Sequence, residues 1–165
     1  MNKPSSFAWR PSTTRILIIG LVALLVYSVG IYMFTHFRPT TELRVGSGVY
    51  HLWVANTEAK RVQGLSGVDS LSPNGGMLFD FEVDNTWGIW MKDMKIPLDI
   101  IWMNQNKEVV YIVKNADPQL STNTVFKPRT NARYVVELPA GSVESAGIKT
   151  GMLATFDEKD KGEAW

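Results

Sequence analysis

The chain has 165 residues, a formal net charge of +1 and 45% hydrophobic residues. It contains no cysteine and only two histidines, which excludes disulfides, thiolate nucleophiles and cysteine-ligated zinc. All 16 acidic residues but only 13 of the 17 basic ones follow Pro39, so this part of the chain has a net charge of −3. Because nucleic acid requires a clustered basic face, it is excluded as a partner.

The first predicted element is a membrane helix. Residues 16–34 form a run of 19 uncharged, mainly apolar positions, and a helix of that length spans roughly 28 Å, about the hydrocarbon core of a bilayer. The run exceeds the core of a cleaved signal peptide and no small-residue cleavage site follows it, so we predict an uncleaved signal anchor. Lys3, Arg10 and Arg15 precede it, which favours a cytoplasmic segment over residues 1–15 and a domain outside the cytoplasm. The opposite orientation is the alternative.

A globular domain is predicted over residues 42–156, between a linker at 35–41 and a flexible tail at 157–165. Alternating apolar residues, many of them β-branched or aromatic, predict short strands separated by polar, glycine- and proline-bearing loops. Strands are predicted at 49–55, 77–83, 86–91, 98–103, 108–113, 133–138 and 152–156, and loops at 65–76 and 116–131. The predicted fold class is therefore mainly β with short helices, a small barrel-like or sandwich domain behind one transmembrane helix.

Two short helices interrupt the predicted strands. Thr57 is expected to cap a helix over residues 58–63, and Gly64 is expected to end it. Ser142 is expected to cap a second helix of one to two turns that stops at Gly147. Threonine and serine side chains accept hydrogen bonds from the first free amide groups of a helix, and glycine adopts the left-handed conformation that follows a last turn.

Several sequence blocks carry a family resemblance. These are GLSGVDSL, GGMLFDF, IWMKDMKIPLDIIWM, and ARYVVELPAG followed by IKTG. In sequence and in order they resemble the bacterial and archaeal family catalogued as domain of unknown function 192, over residues 49–156. The resemblance implies a compact, mostly β fold with short helices, often placed behind a signal sequence or anchor. It brings no established reaction with it.

The candidate site residues lie in and around the most specific of these blocks. Lys92 and Asp99 interrupt a strongly apolar stretch, with Trp90 and Asp93 beside them, and Arg61 lies in the first predicted short helix. Strand alternation allows Asp99 to be exposed, whereas a buried Asp99 must be paired because an unpaired buried charge is costly. The open alternatives for the set are a structural ion pair or backbone cap, a ligand pocket, and catalysis.

Other chemically notable residues are interpreted as structural. Asp80, Glu82 and Asp84 alternate with apolar residues, which is typical of the solvent face of a strand rather than of a cation site. The Gly64-Leu-Ser66-Gly67 segment lacks the final glycine of a nucleophile elbow and follows a helix, so we interpret it as loop. No metal site and no cofactor are predicted.

Methionine and tryptophan are abundant for a small domain. Methionines within apolar strands are ordinary core filling, and this interpretation applies to Met77, Met91, Met94 and Met103. Aromatic side chains with a few polar groups are also typical of walls around small ligands. At least two of the four domain tryptophans are expected in the core, and the others are candidates for such a wall: Trp53, Trp87, Trp90 and Trp102.

These observations predict a membrane-anchored, extracytoplasmic binding or accessory module, held in the membrane by residues 16–34. Its ligand is either a small molecule or a protein. The enzyme alternative is a hydrolase that works through Asp99 and Lys92, which requires both groups in one cleft. The third possibility is a purely structural or protein-interaction role.

Overall fold

The computed structural model describes residues 13–36, 40–120 and 124–157, in two compact units divided after Phe37. The first unit contains helix α1, Thr13–His36. Its segment Thr13–Ile31 is long and apolar enough to cross a membrane and is not buried in the protein, although a signal sequence near an N-terminus has the same properties. Most of the predicted cytoplasmic segment and of the tail, at 1–12 and 158–165, lies outside the described residues.

The second unit is mainly β, as predicted. Its strands are β1 Thr40–Val45, β2 Gly48–Ala55, β3 Gly75–Asn85, β4 Ile89–Trp90, β5 Leu98–Met103, β6 Val109–Ala116, β7 Val125–Phe126 and β8 Ala132–Pro139. The helices are α2 Glu58–Gln63, a 3₁₀ turn at Pro118–Leu120, and α3 Ser142–Ser145. Six strands form one sheet in the order β1-β2-β3-β8-β5-β6, and β4 pairs with β7 in a separate ribbon.

The large sheet is mixed and open. β2 and β3 are parallel and are connected through α2, while the other neighbouring strands are antiparallel. The predicted closing strand at 152–156 forms only isolated bridges, from Thr155 to Arg44 of β1 and from Leu153 to Glu108 beside β6. The sheet therefore curls towards a barrel without becoming a closed one.

The central strands are covered on both faces. Every residue of β5 is buried, and so are most residues of β8. One face of β8 presents Tyr134, Val136 and Leu138 to a core that includes α3. Since successive side chains of a strand point to opposite faces, Val135 and Glu137 face the second core, which the segments between β3 and β5 cover. Glu137 thus occupies a buried position at which an apolar residue would be expected.

The first short helix agrees with its prediction in full. The Thr57 hydroxyl accepts a hydrogen bond from the Lys60 amide at 3.3 Å. Gly64, at a φ of +49°, follows the last turn and donates its amide to the Lys60 carbonyl. Both devices act within four residues in the chain, and for this reason the sequence pattern predicts them.

Two predicted elements need correction. The strand at 86–91 shrinks to β4, because the Trp87 indole N–H donates to the Val83 carbonyl at 3.0 Å and the ring stacks on Phe81. The predicted cap Ser142 is the first residue of α3, after Gly141 at a φ of +89°. Its hydroxyl donates instead to the Pro139 carbonyl at 2.6 Å.

The acids of β3 and the long loop also differ from prediction. Asp80 is buried rather than on the solvent face: its Oδ1 accepts from the Glu82 amide at 2.8 Å and pairs with Arg133 Nε at 3.3 Å. Glu82 adopts a φ of +65° where the β3–β8 register shifts, which interrupts the alternation. The predicted loop at 116–131 contains the 3₁₀ turn and β7, and its residues 121–123 lie outside the described chain.

Candidate functional site

A cleft of about 390 Å³ opens between α2, the sheet and the segment that contains β4. Its first wall consists of residue 58 and residues 61–66. Its floor is formed by Phe79, Phe81 and Glu137 of the sheet, and its second wall by residues 87–90, 92 and 94. Small-molecule sites commonly have volumes of roughly 300–1,000 Å³ and mostly apolar linings, so the cleft is large enough for a small ligand.

Glu137 is the buried polar group of the cleft floor. In the ladder it lies opposite Met77 of β3 and Ile100 of β5, and it is 4% exposed. Its Oε2 has no hydrogen-bond partner among the described residues. Burial disfavours the charged form and raises the pKa of the Glu137 carboxyl from 4.5 to about 8. At neutral pH the group is therefore mainly protonated and is able both to donate and to accept a hydrogen bond.

Aromatic side chains line both the floor and the second wall of the cleft. The rings of Phe81 and Trp87 are stacked, with centroids 4.4 Å apart and planes inclined by 10°. The buried Trp102 donates its indole N–H to the Trp87 carbonyl at 2.9 Å, which holds the chain of the second wall against the sheet. Trp90 is 49% exposed at the cleft edge. The stacked rings of Phe81 and Trp87 thus form a rigid apolar surface inside the cleft. The Trp90 ring is accessible from solvent at its edge.

Two cationic side chains lie at the cleft. Arg61 donates Nη1 to the Asp80 carbonyl at 2.8 Å, and its guanidinium carbon lies 5.4 Å from the centroid of Phe81. The Lys92 ammonium lies 6.0 Å from the centroid of the Trp90 ring. Both arrangements fall within the range of cation–π contacts. Neither cation has an ion-pair partner in the described part of the chain.

The two walls are joined at one end of the cleft. The Ser66 hydroxyl donates to the Lys92 carbonyl at 3.0 Å, and the Gly67 amide donates to the Asp93 carbonyl at 2.9 Å. Asp93 is at a φ of +55° and Gly67 at +77°, so both turns use left-handed backbone where they meet. These bonds fix Lys92 relative to α2 even though 26 residues separate it from Ser66.

The family assignment rests on the whole domain. The model of domain of unknown function 192, described as an uncharacterized ACR family, matches residues 41–156. The chain belongs to this family. Its resemblance in the sequence blocks quoted above is therefore confirmed.

This member of the domain of unknown function 192 family is also similar to individual proteins and solved structures. A UPF0127 protein of Thermococcus gammatolerans is 30% identical over 125 residues, which cover 74% of this chain and 76% of that protein. A crystal structure from Sinorhizobium meliloti, described provisionally as a transcription regulator, has a TM-score of 0.65 at 28% identity, covering 73% of this chain and 94% of that one. A protein of unknown function from Novosphingobium aromaticivorans has a TM-score of 0.64 at 27% identity, covering 72% and 84%.

The five predicted site residues of this family member occupy different positions. Arg61, Trp90 and Lys92 all line the cleft. Asp93 contributes its carbonyl to the join between the walls, while its side chain is exposed. Asp99 is 1% exposed and does not line the cleft.

Asp99 is bound by backbone amides. Its Oδ1 accepts from the Asn115 amide and its Oδ2 from the Val143 amide, both at 2.8 Å. Asn115 has a φ of +51°, and Val143 is the second residue of α3. The carboxylate therefore takes the capping role that the sequence assigned to Ser142. Of the alternatives left open by the sequence, this geometry corresponds to the backbone cap.

Sequence reasoning missed Glu137. The available signal was a single acid inside the apolar run Tyr134-Val-Val-Glu-Leu138, where both strand faces are apolar. Three of the four methionines interpreted as core residues, Met77, Met91 and Met103, are buried in the core. Met94 differs, because it lines the cleft.

Proposed function

We propose that this chain is a ligand-binding module held at the outer face of a cell membrane by α1. The observation that carries the proposal is the buried Glu137 carboxyl, which has an unused hydrogen-bonding oxygen at the floor of an aromatic-walled cleft. Buried polar groups are normally paired, so an unpaired one in an aromatic-lined cleft is a favourable contact point for a ligand.

Binding is favoured over hydrolysis through Asp99 and Lys92. Both oxygens of Asp99 are occupied by backbone amides, and Lys92 lines a cleft of which Asp99 is not a lining residue. A base or nucleophile must reach the substrate, so this separation supports the non-enzymatic proposal. The net charge of −3 after Pro39 likewise does not support a nucleic-acid-binding role.

Membrane anchoring is supported by the length and chemistry of α1. Its 24 residues extend over roughly 36 Å, and the Ser28 hydroxyl donates to the Leu25 carbonyl at 2.8 Å, so this polar group is satisfied within the helix. We expect alkaline phosphatase fused after Trp165 to be active and green fluorescent protein at the same place to be dark, because the first requires export. The reverse pattern would place the domain in the cytoplasm.

Ligand binding is tested with the full chain in nanodiscs, by thermal unfolding against a chemically diverse library of small metabolites. We expect at least one compound to raise the melting temperature, since a ligand at about 100 times its Kd stabilises by about 3 kcal/mol. The shift should shrink in Trp90→Ala and persist in Leu153→Ala, which removes another exposed apolar side chain, away from the cleft. Equal loss in both variants, or a library without a stabilising compound, would favour a structural or protein-interaction role.

A further inference from the structure

The charge around the cleft is unbalanced. Its lining includes two cations, Arg61 and Lys92, and two acids, Glu58 and Glu137. Glu58 is exposed to solvent in the first turn of α2. Glu137 is mainly protonated at neutral pH because burial raises its pKa to about 8. The cleft consequently carries a positive charge at neutral pH.

The two cations also occupy the aromatic faces. Arg61 lies over Phe81 and Lys92 lies near the face of Trp90. An aromatic cage for a cationic ligand requires free ring faces and no competing positive charge. Here a cationic ligand would be repelled by both side chains, whereas an anion would pair with them. The arrangement therefore discriminates by the sign of the ligand's charge.

The polarity of the cleft changes with depth. Lys92 is exposed, Arg61 is half-buried, and Glu137 is buried with its Oε2 unpartnered. The rest of the lining is mainly apolar and aromatic, and it includes the stacked pair Phe81 and Trp87. A complementary molecule thus has a charged end outside, a ring or other apolar body in the middle, and a neutral hydrogen-bonding group inside.

We propose that the cleft binds a small organic anion, with its acidic group at Arg61 and Lys92, its apolar body against the aromatic wall, and a hydroxyl or amide group on the Glu137 carboxyl. This inference rests on the proposed ligand-binding function and specifies the chemistry of its ligand.

Three matched probes test the sign of the charge and the inner contact: para-hydroxyphenylpropionate, phenylpropionate without the hydroxyl, and the cation tyramine. Binding to the full chain in nanodiscs is measured by titration calorimetry at neutral pH. We expect para-hydroxyphenylpropionate to bind about tenfold more tightly than tyramine, because its carboxylate pairs with Arg61 and Lys92 whereas both cations repel the ammonium group of tyramine. It should also bind several-fold more tightly than phenylpropionate, because only the hydroxyl reaches Glu137.

Two variants separate the contacts. Lys92→Ala should weaken binding of para-hydroxyphenylpropionate by about three- to tenfold, whereas Lys95→Ala should leave it unchanged. Lys95 is a matched control because it lies three residues away and pairs with Asp69 at 2.7 Å on the surface. In Glu137→Leu the preference for the hydroxylated probe should disappear while phenylpropionate still binds.

Each contrary result overturns a defined part of the inference. Binding of tyramine as tight as that of the anion, or equal weakening by Lys92→Ala and Lys95→Ala, would overturn the choice of an anion and leave the cleft as a binding site. Failure of all three probes, with library compounds still stabilising the protein through the cleft, would likewise overturn this inference alone. Failure of probes and library together would overturn the proposed function as well.

Discussion

Glu137→Gln should become progressively more stable than the parent protein as the pH rises from about 4.5 to about 8. Burial raises the pKa of the Glu137 carboxyl to about 8, whereas the unfolded chain releases this proton near 4.5. Between these values unfolding releases a proton, so rising pH favours the unfolded state by about a factor of ten per pH unit. Below pH 4.5 Glu137 is protonated in both the folded and the unfolded state, so the two proteins should not differ through this group. Above pH 8 Glu137 is ionised in both states, and the loss of stability no longer changes with pH.

The effect is large because the side chain is almost completely buried. Accumulated over the whole interval, the difference in free energy of unfolding between the two proteins approaches about 5 kcal/mol. Glutamine has the same shape and does not titrate, so subtracting the two curves removes the contributions of the other ionisable groups. Urea unfolding at a series of pH values measures the difference directly.

The matched control is Glu144→Gln, which changes an exposed acid of α3 in the same way. Its stability difference from the parent should stay small and flat across the same pH range. A flat difference for Glu137→Gln as well would show that Glu137 ionises normally, and that water or a cation reaches the cleft floor.

Asp99→Ala should destabilise the domain by about 3–5 kcal/mol. The substitution leaves the amides of Asn115 and Val143 without the acceptor that each contacts at 2.8 Å, and bonds to a charged acceptor contribute about 1.5–3 kcal/mol each. Asp99→Asn should be almost as harmful, because its amide NH₂ would face one of the two backbone donors while its single oxygen accepts from the other. Chemical denaturation of the parent and both variants provides the comparison.

The matched control is Asp84→Ala, which removes an exposed carboxylate from β3 and should change stability by no more than about 0.5 kcal/mol. The destabilised Asp99 variants should still bind the organic anion under conditions where they are folded, because Asp99 does not line the cleft. A stable Asp99→Ala protein that has lost binding would instead make Asp99 a ligand-binding residue.

The elements that local sequence predicts best depend on contacts within a few residues. The helix α2 has its cap Thr57 and its stop Gly64 as expected, because both bonds connect residues three or four apart. The apolar composition of residues 16–34 likewise predicts a helix long enough for a bilayer. In both cases the physical determinant is present in the segment itself.

The predictions that failed involve competition between local and distant partners. Ser142 has the chemistry of a helix cap, but Asp99, 44 residues from Val143, supplies the acceptor to that residue. Asp80 alternates with phenylalanines as an exposed acid would, but the ion pair with Arg133 permits its burial. Secondary-structure propensities depend on local sequence, so they do not predict a partner that lies far away in the chain.

The sequence by itself determined the mainly β domain, the apolar helix before it, the family, and three of the residues that line the cleft: Arg61, Trp90 and Lys92. Only the tertiary structure decided that Glu137 forms the floor. Its position follows from the pairing of β8 between β3 and β5, which sets it between Met77 and Ile100. The order of strands in a sheet depends on contacts between residues far apart in the chain. The burial that raises the pKa of Glu137 comes from the strands paired with β8 on both sides, and local sequence does not specify them.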